Sequence, residues 1–187
     1  KQLVMERRID GILTVGHVDG FSAAQDWQDI HDRDISVVSI NSENKLCDSL
    51  CCIQPEYDVI GRTMAELIIY RIPEFGSIFL CAGNPKWDAH SLIVKGFDDY
   101  LAENRCPNLV YKDYSYSINR QNYLNIFNKL TRPDVAACCS VYSQGTVMLG
   151  QALEESKKAG KVYAVGSDLQ DVKIGRASCR ERVYSRV

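Results

Sequence analysis

The chain has 187 residues, of which 45% are hydrophobic and 25% charged, and its formal net charge is −2. This composition is typical of a globular protein with a sizeable core, and no apolar run reaches the roughly 20 residues that a membrane span requires. The balance of charges argues against direct contact of this chain with nucleic acid, because such contact requires clustered basic residues.

Strand-like and helix-like stretches alternate along almost the whole chain. Short apolar runs predict strands at 10–16, 35–40, 50–53, 77–82, 109–114, 133–140 and 162–166. Apolar residues at three- and four-residue steps predict helices at 21–33, 56–72, 89–104, 118–130 and 146–159. Strands separated by helices of this length form βαβ units, so the sequence predicts an α/β fold with parallel sheets flanked by helices.

Two of the predicted strands, with the sequences SIFLCA and VAACCS, are apolar on both faces. A sheet needs this pattern when helices cover both of its sides. The strongest helical pattern, 56–72, ends at Pro73 and Gly76. We therefore predict a domain boundary at 71–76.

The last fourteen residues, 174–187, differ from the rest in composition, with four arginines and one glutamate. The stretch 174–183 looks like the in-frame translation of a sequencing adapter, so we expect a non-native tail and exclude it from fold reasoning. A genuine basic helix is the alternative. Without this tail 18 basic and 23 acidic residues remain, and the net charge is −5.

Seven of the eight cysteines precede this tail, and two adjacent pairs, Cys51-Cys52 and Cys138-Cys139, fall in predicted strands. Neighbours in a strand point to opposite faces, so we expect buried free thiols rather than disulfides. Free thiols at this density indicate a reducing cytoplasm. Zinc commonly takes paired ligands such as C-x-x-C, which the sequence lacks, so we predict no metal and no cofactor.

Polar and aromatic residues follow the predicted strands, where open parallel sheets bind their ligands. The candidate ligand-binding residues from this set are Asn41, Glu56, Trp87, His90, Tyr142, Gln144 and Asp168. Their mixture of amides, rings and few carboxylates suits a neutral polyhydroxyl ligand, because sugar faces stack on rings and hydroxyls need hydrogen-bond partners. Taken singly, each residue also suits an ordinary turn or helix cap.

Common catalytic templates are missing from the sequence. It contains no G-x-S-x-G elbow, no phosphate-binding G-x-x-x-x-G-K-[ST] and no G-x-G-x-x-G after a strand. We therefore predict that the protein binds a small molecule and is not an enzyme.

Six short motifs occur in a fixed order along 1–171. They are RIDGIL at 8–13, ISVVSIN at 35–41, the stretch 56–65 with Gly61-Arg62, the stretch 90–97 with Gly96-Phe97, Pro133-Asp134, and VGSD at 165–168. Together they resemble the ligand-binding core shared by the lactose-repressor family of transcription regulators and the periplasmic sugar-binding proteins. The resemblance implies two α/β lobes that close on a sugar or a similar effector.

The resemblance also assigns ranges and roles. It places 1–72 in part of an N-terminal lobe and 73–173 in a C-terminal lobe, both incomplete, so we expect the isolated chain to be unstable and to bind weakly. Asp168 would accept hydrogen bonds from ligand hydroxyls, and Glu56 stands where the family often has an Asp. The family's effector-binding Arg is replaced by Ile93, so either Lys86, Trp87 or His90 takes over, or the ligand differs from the usual sugar.

We therefore expect the effector-binding core of a cytoplasmic, repressor-type transcription regulator. The ligand would bridge both lobes and shift an open–closed equilibrium. The full-length protein would be a homodimer, would contact DNA only through a module absent from this chain, and would have no membrane partner. The alternatives are the solute-binding subunit of a sugar importer and a doubly wound α/β enzyme.

Overall fold

The computed structural model describes residue 6 and the ranges 9–15, 24–43 and 46–167. Within these residues, seven strands and five helices follow one another in the order β1–α1–β2–β3–α2–β4–α3–β5–α4–β6–α5–β7. The chain divides into two compact units between Glu56 and Tyr57. None of the helices in the described part of the chain is long and apolar enough to cross a membrane.

In its described residues, the first unit contains a parallel three-stranded sheet of order β1-β2-β3 and one helix. Its elements are β1 (Gly11–Val15), α1 (Ala24–His31), β2 (Ser36–Ile40) and β3 (Cys51–Ile53). Trp27 and Ile30 of α1 pack against Ile35 and Val37 and form the core of this unit. The helix thus covers the sheet face to which Val37 points.

The opposite face of this sheet carries exposed apolar side chains. Val38 follows Val37 and so points away from α1, and its register partners are Leu13 and Cys51. Leu13 is 68% exposed and the Cys51 thiol is exposed. The expectation that Cys51 is buried is therefore wrong, because Cys51 lies on the face that α1 does not cover.

The second unit contains a parallel four-stranded sheet of order β5-β4-β6-β7. Its elements are α2 (Tyr57–Ile69), β4 (Ser77–Cys81), α3 (Asp88–Glu103), β5 (Val110–Asp113), α4 (Arg120–Leu130), β6 (Val135–Ser140), α5 (Ser143–Glu155) and β7 (Tyr163–Gly166). Every residue of β4 is buried, as the apolar pattern on both of its faces predicts. Phe79 of β4 and Phe97 of α3 are fully buried in the core.

Helix α2 belongs to the second unit because its backbone packs directly on α3. A Cβ atom on Gly61 would lie under 3.0 Å from the carbonyl oxygen of Ile93, and one on Gly96 would lie equally close to the carbonyl of Asp58. The two glycines therefore allow a helix crossing that any side chain would block. Contrary to the predicted boundary at 71–76, the structure divides the chain before α2 rather than after it.

Helix α5 differs most from its predicted bounds. It begins at Ser143 and ends at Glu155, whereas apolar periodicity predicts 146–159. Its first turn is polar and so gives no apolar signal. Lys157 has a φ of 55°, in the left-handed region that ends a helix.

Candidate functional site

One edge of the second sheet gathers the segments that follow β4, β5 and β6. These strands are parallel neighbours, so their carboxyl ends meet at the same edge. The loop after β4 leads to Trp87 and the start of α3, the loop after β5 carries Tyr116, and Tyr142 lies between β6 and α5. This is the edge at which open parallel sheets bind ligands.

Four rings meet at this edge and form what we call the aromatic cluster: Trp87, His90, Tyr116 and Tyr142. The ring centroids of Trp87 and Tyr116 are 4.6 Å apart, and those of Tyr116 and Tyr142 are 5.0 Å apart. His90 lies 5.1 Å from Trp87, 5.3 Å from Tyr116 and 5.7 Å from Tyr142. These tilted and edge-to-face arrangements are the favourable ones for aromatic rings.

The cluster has a buried part and an accessible part. His90 and Tyr142 are 7% and 5% exposed, whereas Trp87 and Tyr116 are 44% and 37% exposed. The two inner rings therefore support the two outer rings. An exposed indole and an exposed phenol held rigidly in this way can stack on the C–H face of a ligand.

Tyr142 is held by hydrogen bonds at both ends. Its hydroxyl donates to the Ser115 carbonyl at 3.2 Å, and its own carbonyl accepts from the Ser140 hydroxyl at 2.8 Å. Burial raises the pKa of Tyr142 above its ordinary range, so this phenol stays neutral. It joins the loop after β5 to the start of α5.

Asp113, at the end of β5, fixes the loop that carries Tyr116. Its carboxylate accepts from the Ser115 backbone N–H at 2.8 Å and from the Lys129 ammonium at 3.0 Å. Burial of Asp113 acts to raise its pKa, but the hydrogen bonds from Ser115 and Lys129 outweigh it and lower the pKa. A charged, buried carboxylate therefore anchors the turn between β5 and Tyr116.

His90 anchors the loop after β4. Its Nδ1 accepts a hydrogen bond of 2.9 Å from the backbone N–H of Asn84. Burial lowers the pKa of His90, so the ring is neutral at neutral pH. The structure buries His90 beneath Trp87 and Tyr116, and ligand contact by His90 stays a prediction.

The structure brings together three of the seven predicted ligand-binding residues, Trp87, His90 and Tyr142. Gln144 lies in the first turn of α5, half-buried, and its Oε1 accepts from the Ser143 hydroxyl at 3.0 Å. Asp168 lies outside the described residues.

Asn41 and Glu56 belong to the first unit. Asn41 follows β2 with a φ of 67°, a conformation that Asn tolerates better than most residues. Its N–H donates to the Ile53 carbonyl at 2.8 Å, which gives it a turn-forming role. Glu56 is exposed immediately before α2.

Ile93 stands where the resemblance places the family's effector-binding Arg. It is 4% exposed, and its carbonyl faces Gly61 at the crossing of α2 and α3. This position is therefore part of the apolar core. One turn earlier, His90 lies in the aromatic cluster.

Sequence reasoning did not include Tyr116, Asp113 or Ser115 among the site residues. From the sequence, Tyr116 belongs to a group of tyrosines near the end of β5 that suits either a stacking platform or core and rim positions. Asp113 ends an otherwise apolar strand, which is the signal that could have identified it. Among the described residues, no group of three or more His, Cys, Asp or Glu side chains could hold a metal ion.

Comparison with known proteins agrees with this architecture. The family described as "Periplasmic binding protein domain" matches residues 3–176. Among curated proteins, none matches the chain.

Three solved structures with the same fold illustrate the likeness. The XylFII molecule is 16% identical, with a TM-score of 0.75 over 91% of this chain and 62% of its own. GanP, a glucose-galactose binding protein from Geobacillus stearothermophilus, is 18% identical, with a TM-score of 0.72 over 88% and 60%. A periplasmic ribose ABC transporter from Conexibacter woesei is 20% identical, with a TM-score of 0.75 over 91% and 57%.

This chain thus spans about three fifths of the length of these structures. Their likeness, with parallel sheets flanked by helices, confirms the predicted α/β fold. The extent of the family match, 3–176, decides the assignment. The chain belongs to the periplasmic binding protein domain family.

Proposed function

We propose that this chain is the sugar-binding part of a solute-binding protein that serves a sugar importer. Family membership supports a binding function rather than catalysis. Of the similar structures, GanP is a glucose-galactose binding protein and the Conexibacter woesei protein is a ribose transporter. The observation that carries the proposal is the aromatic cluster at the carboxyl ends of β4, β5 and β6.

The cluster suits a neutral ligand. Burial keeps both His90 and Tyr142 uncharged at neutral pH, because it lowers the pKa of the imidazole and raises that of the phenol. The cluster therefore presents no formal charge to attract an anion. Trp87 and Tyr116 present ring surface together with an indole N–H and a hydroxyl, which match the C–H faces and hydroxyls of an aldose.

Calorimetric titration with a panel of neutral sugars tests this proposal. The panel consists of D-glucose, D-galactose, D-ribose, D-xylose and D-allose. Each sugar is titrated into the wild-type chain and into the variants Trp87→Ala and Phe75→Ala. An aromatic contact is worth about 0.5–1.5 kcal/mol beyond the area it buries, so Trp87→Ala should weaken sugar binding about 2- to 13-fold.

Phe75→Ala is the matched control, because Phe75 is 92% exposed and precedes β4, at the other end of the strand. It should bind as the wild type does. If no sugar of the panel binds, even at concentrations high enough to detect the weak affinity expected of the isolated chain, or if both variants retain wild-type affinity, the proposal is wrong.

A second candidate function is the effector-binding core of a cytoplasmic, repressor-type regulator. The observation that favours it is the set of free thiols, of which Cys81, Cys138 and Cys139 are buried. Such thiols are typical of a reducing compartment. In this case the full-length protein would dimerise and bind DNA through a separate module.

The sequence encoded upstream of this chain decides between the two. A helix-turn-helix there would establish the regulator, and a signal peptide or a lipid-anchor cysteine would establish the importer subunit. A third alternative, an enzyme, predicts turnover that Asp168→Ala abolishes without loss of ligand affinity.

A further inference from the structure

We propose that His90 is a positioning residue that holds the loop 83–87, and with it Trp87, in the binding conformation only while its imidazole is neutral. Sugar affinity then falls in acid. This inference rests on the proposed function of the aromatic cluster, but its first test needs no sugar.

The hydrogen bond between loop and ring requires one protonation state. The Asn84 N–H donates to Nδ1 of His90 at 2.9 Å, so Nδ1 must carry a lone pair and the proton must be on Nε2. Protonation of the ring places a second hydrogen on Nδ1. Two donors then face each other, and the bond is lost.

The backbone of the loop packs directly against the imidazole ring. Gly83 has a φ of 67°, and a Cβ atom there would lie under 3.0 Å from Nδ1 of His90. The Asn84 side-chain oxygen accepts from the Lys86 N–H at 3.0 Å, and the Asn84 carbonyl accepts from the Trp87 N–H at 3.1 Å. Asn84 thus links His90 directly to Trp87.

No charge on the described elements around His90 compensates an imidazolium. The titratable groups that face the His90 ring are the phenols of Tyr116 and Tyr142, and phenols are uncharged in acid. Burial lowers the pKa of His90 and outweighs the backbone contact with Asn84, which acts to raise it. The charged residues on the surrounding elements, Lys86, Asp88 and Asp113, are not among the causes of this shift. A proton on His90 is therefore accommodated only by opening the loop.

Acrylamide quenching of tryptophan fluorescence measures how accessible the Trp87 indole is, and it needs no ligand. Trp27 is 3% exposed and Trp87 is 44% exposed, so the quencher reports mainly on Trp87. In the wild-type chain the quenching constant should rise as the pH falls from about 7.5 to about 5, because the released indole becomes more accessible.

Three variants make this measurement specific. His90→Asn supplies an amide oxygen close to the position of Nδ1 but does not titrate, so its quenching should stay low at every pH. His90→Phe keeps a ring but no acceptor, so its quenching should be high throughout. His31→Asn removes a histidine of the first unit, and its quenching constant should change with pH as that of the wild type does.

The inference is overturned if wild-type quenching does not change with pH, or if His90→Asn titrates like the wild type. Thermal unfolding monitored by circular dichroism checks that each variant is folded.

A second arm measures affinity for the sugar of the panel that binds most tightly. If only the neutral form binds, the apparent Kd rises tenfold per pH unit below the pKa of His90, and it stays constant in His90→Asn. A wild-type Kd that does not change with pH also overturns the inference. If no sugar binds at any pH, the proposed function fails, while the quenching arm still decides the role of His90.

Discussion

The crossing of α2 and α3 at Gly61 and Gly96 yields the sharpest stability prediction. Substituting Gly96 by Ala places a methyl group under 3.0 Å from the backbone of Asp58. The clashing atoms are backbone and cannot rotate away, so the two helices must move apart. Gly96→Ala should therefore destabilise the second unit.

The expected magnitude follows from two opposing terms. Overpacking a tight interior costs about 1–3 kcal/mol, and a backbone clash favours the upper end of that range. Replacing Gly by Ala within a helix stabilises the helix by about 1 kcal/mol, because Ala has the higher helix propensity. The net loss is about 2 kcal/mol, which lowers the Tm by roughly 4–8 °C for a chain of this size.

Urea unfolding followed by circular dichroism measures this loss. The matched control is Lys95→Ala, the neighbouring position on α3, where the side chain is 67% exposed and forms a surface ion pair with Asp99. Such a pair contributes little, so Lys95→Ala should change the free energy of unfolding by less than about 0.5 kcal/mol. If Gly96→Ala is neutral, or is stabilising by its helix-propensity gain, the inferred crossing is wrong.

Three further predictions concern other parts of the chain. The Asn108 side-chain nitrogen shares its two hydrogens among three carbonyls of the loop 73–76, those of Pro73, Glu74 and Gly76. Asn108→Ala should therefore lower the free energy of unfolding in urea by about 2 kcal/mol, and a loss below about 0.5 kcal/mol would contradict this role. Hydrogen bonds from Ser77 and Tyr111 lower the pKa of Asp134 from 3.8 to about 2; stability should therefore fall as the pH drops through this window, and a curve unchanged in Asp134→Asn would argue against it. Burial raises the pKa of Cys138 to about 12, so a thiol reagent at about pH 8 should label Cys138 only after unfolding, and labelling in the native state would refute its burial.

Periodicity predicts the elements well because it depends on local burial. Apolar runs identify β4 and β6 to within a few residues, and the three- and four-residue spacing of apolar residues does the same for α2. What local patterns do not contain is the partner of each element. The apolar pattern of the helix at 57–69 would be the same whether the helix packs on the first or the second unit. The close contacts of Gly61 with α3 and of Gly96 with α2 place the helix in the second unit.

The candidate site was predictable in part for the same reason. Trp87, His90 and Tyr142 follow strand ends in the sequence, and parallel strands bring such positions to one edge. Tyr116 depends on how the loop after β5 turns, which the buried Asp113 determines through Ser115 and Lys129. That contact joins residues sixteen positions apart and has no periodic signature.

The most direct test of the central claim is the response of the two indole N–H resonances in a nuclear magnetic resonance spectrum to added sugar. Trp27 is buried in the first unit and Trp87 is exposed in the aromatic cluster, so one chain contains both the reporter and its internal control. Addition of the sugars of the panel should shift the Trp87 resonance in a saturable manner and leave that of Trp27 in place. If a sugar binds to the chain while the Trp87 resonance does not move, the aromatic cluster is not the binding site.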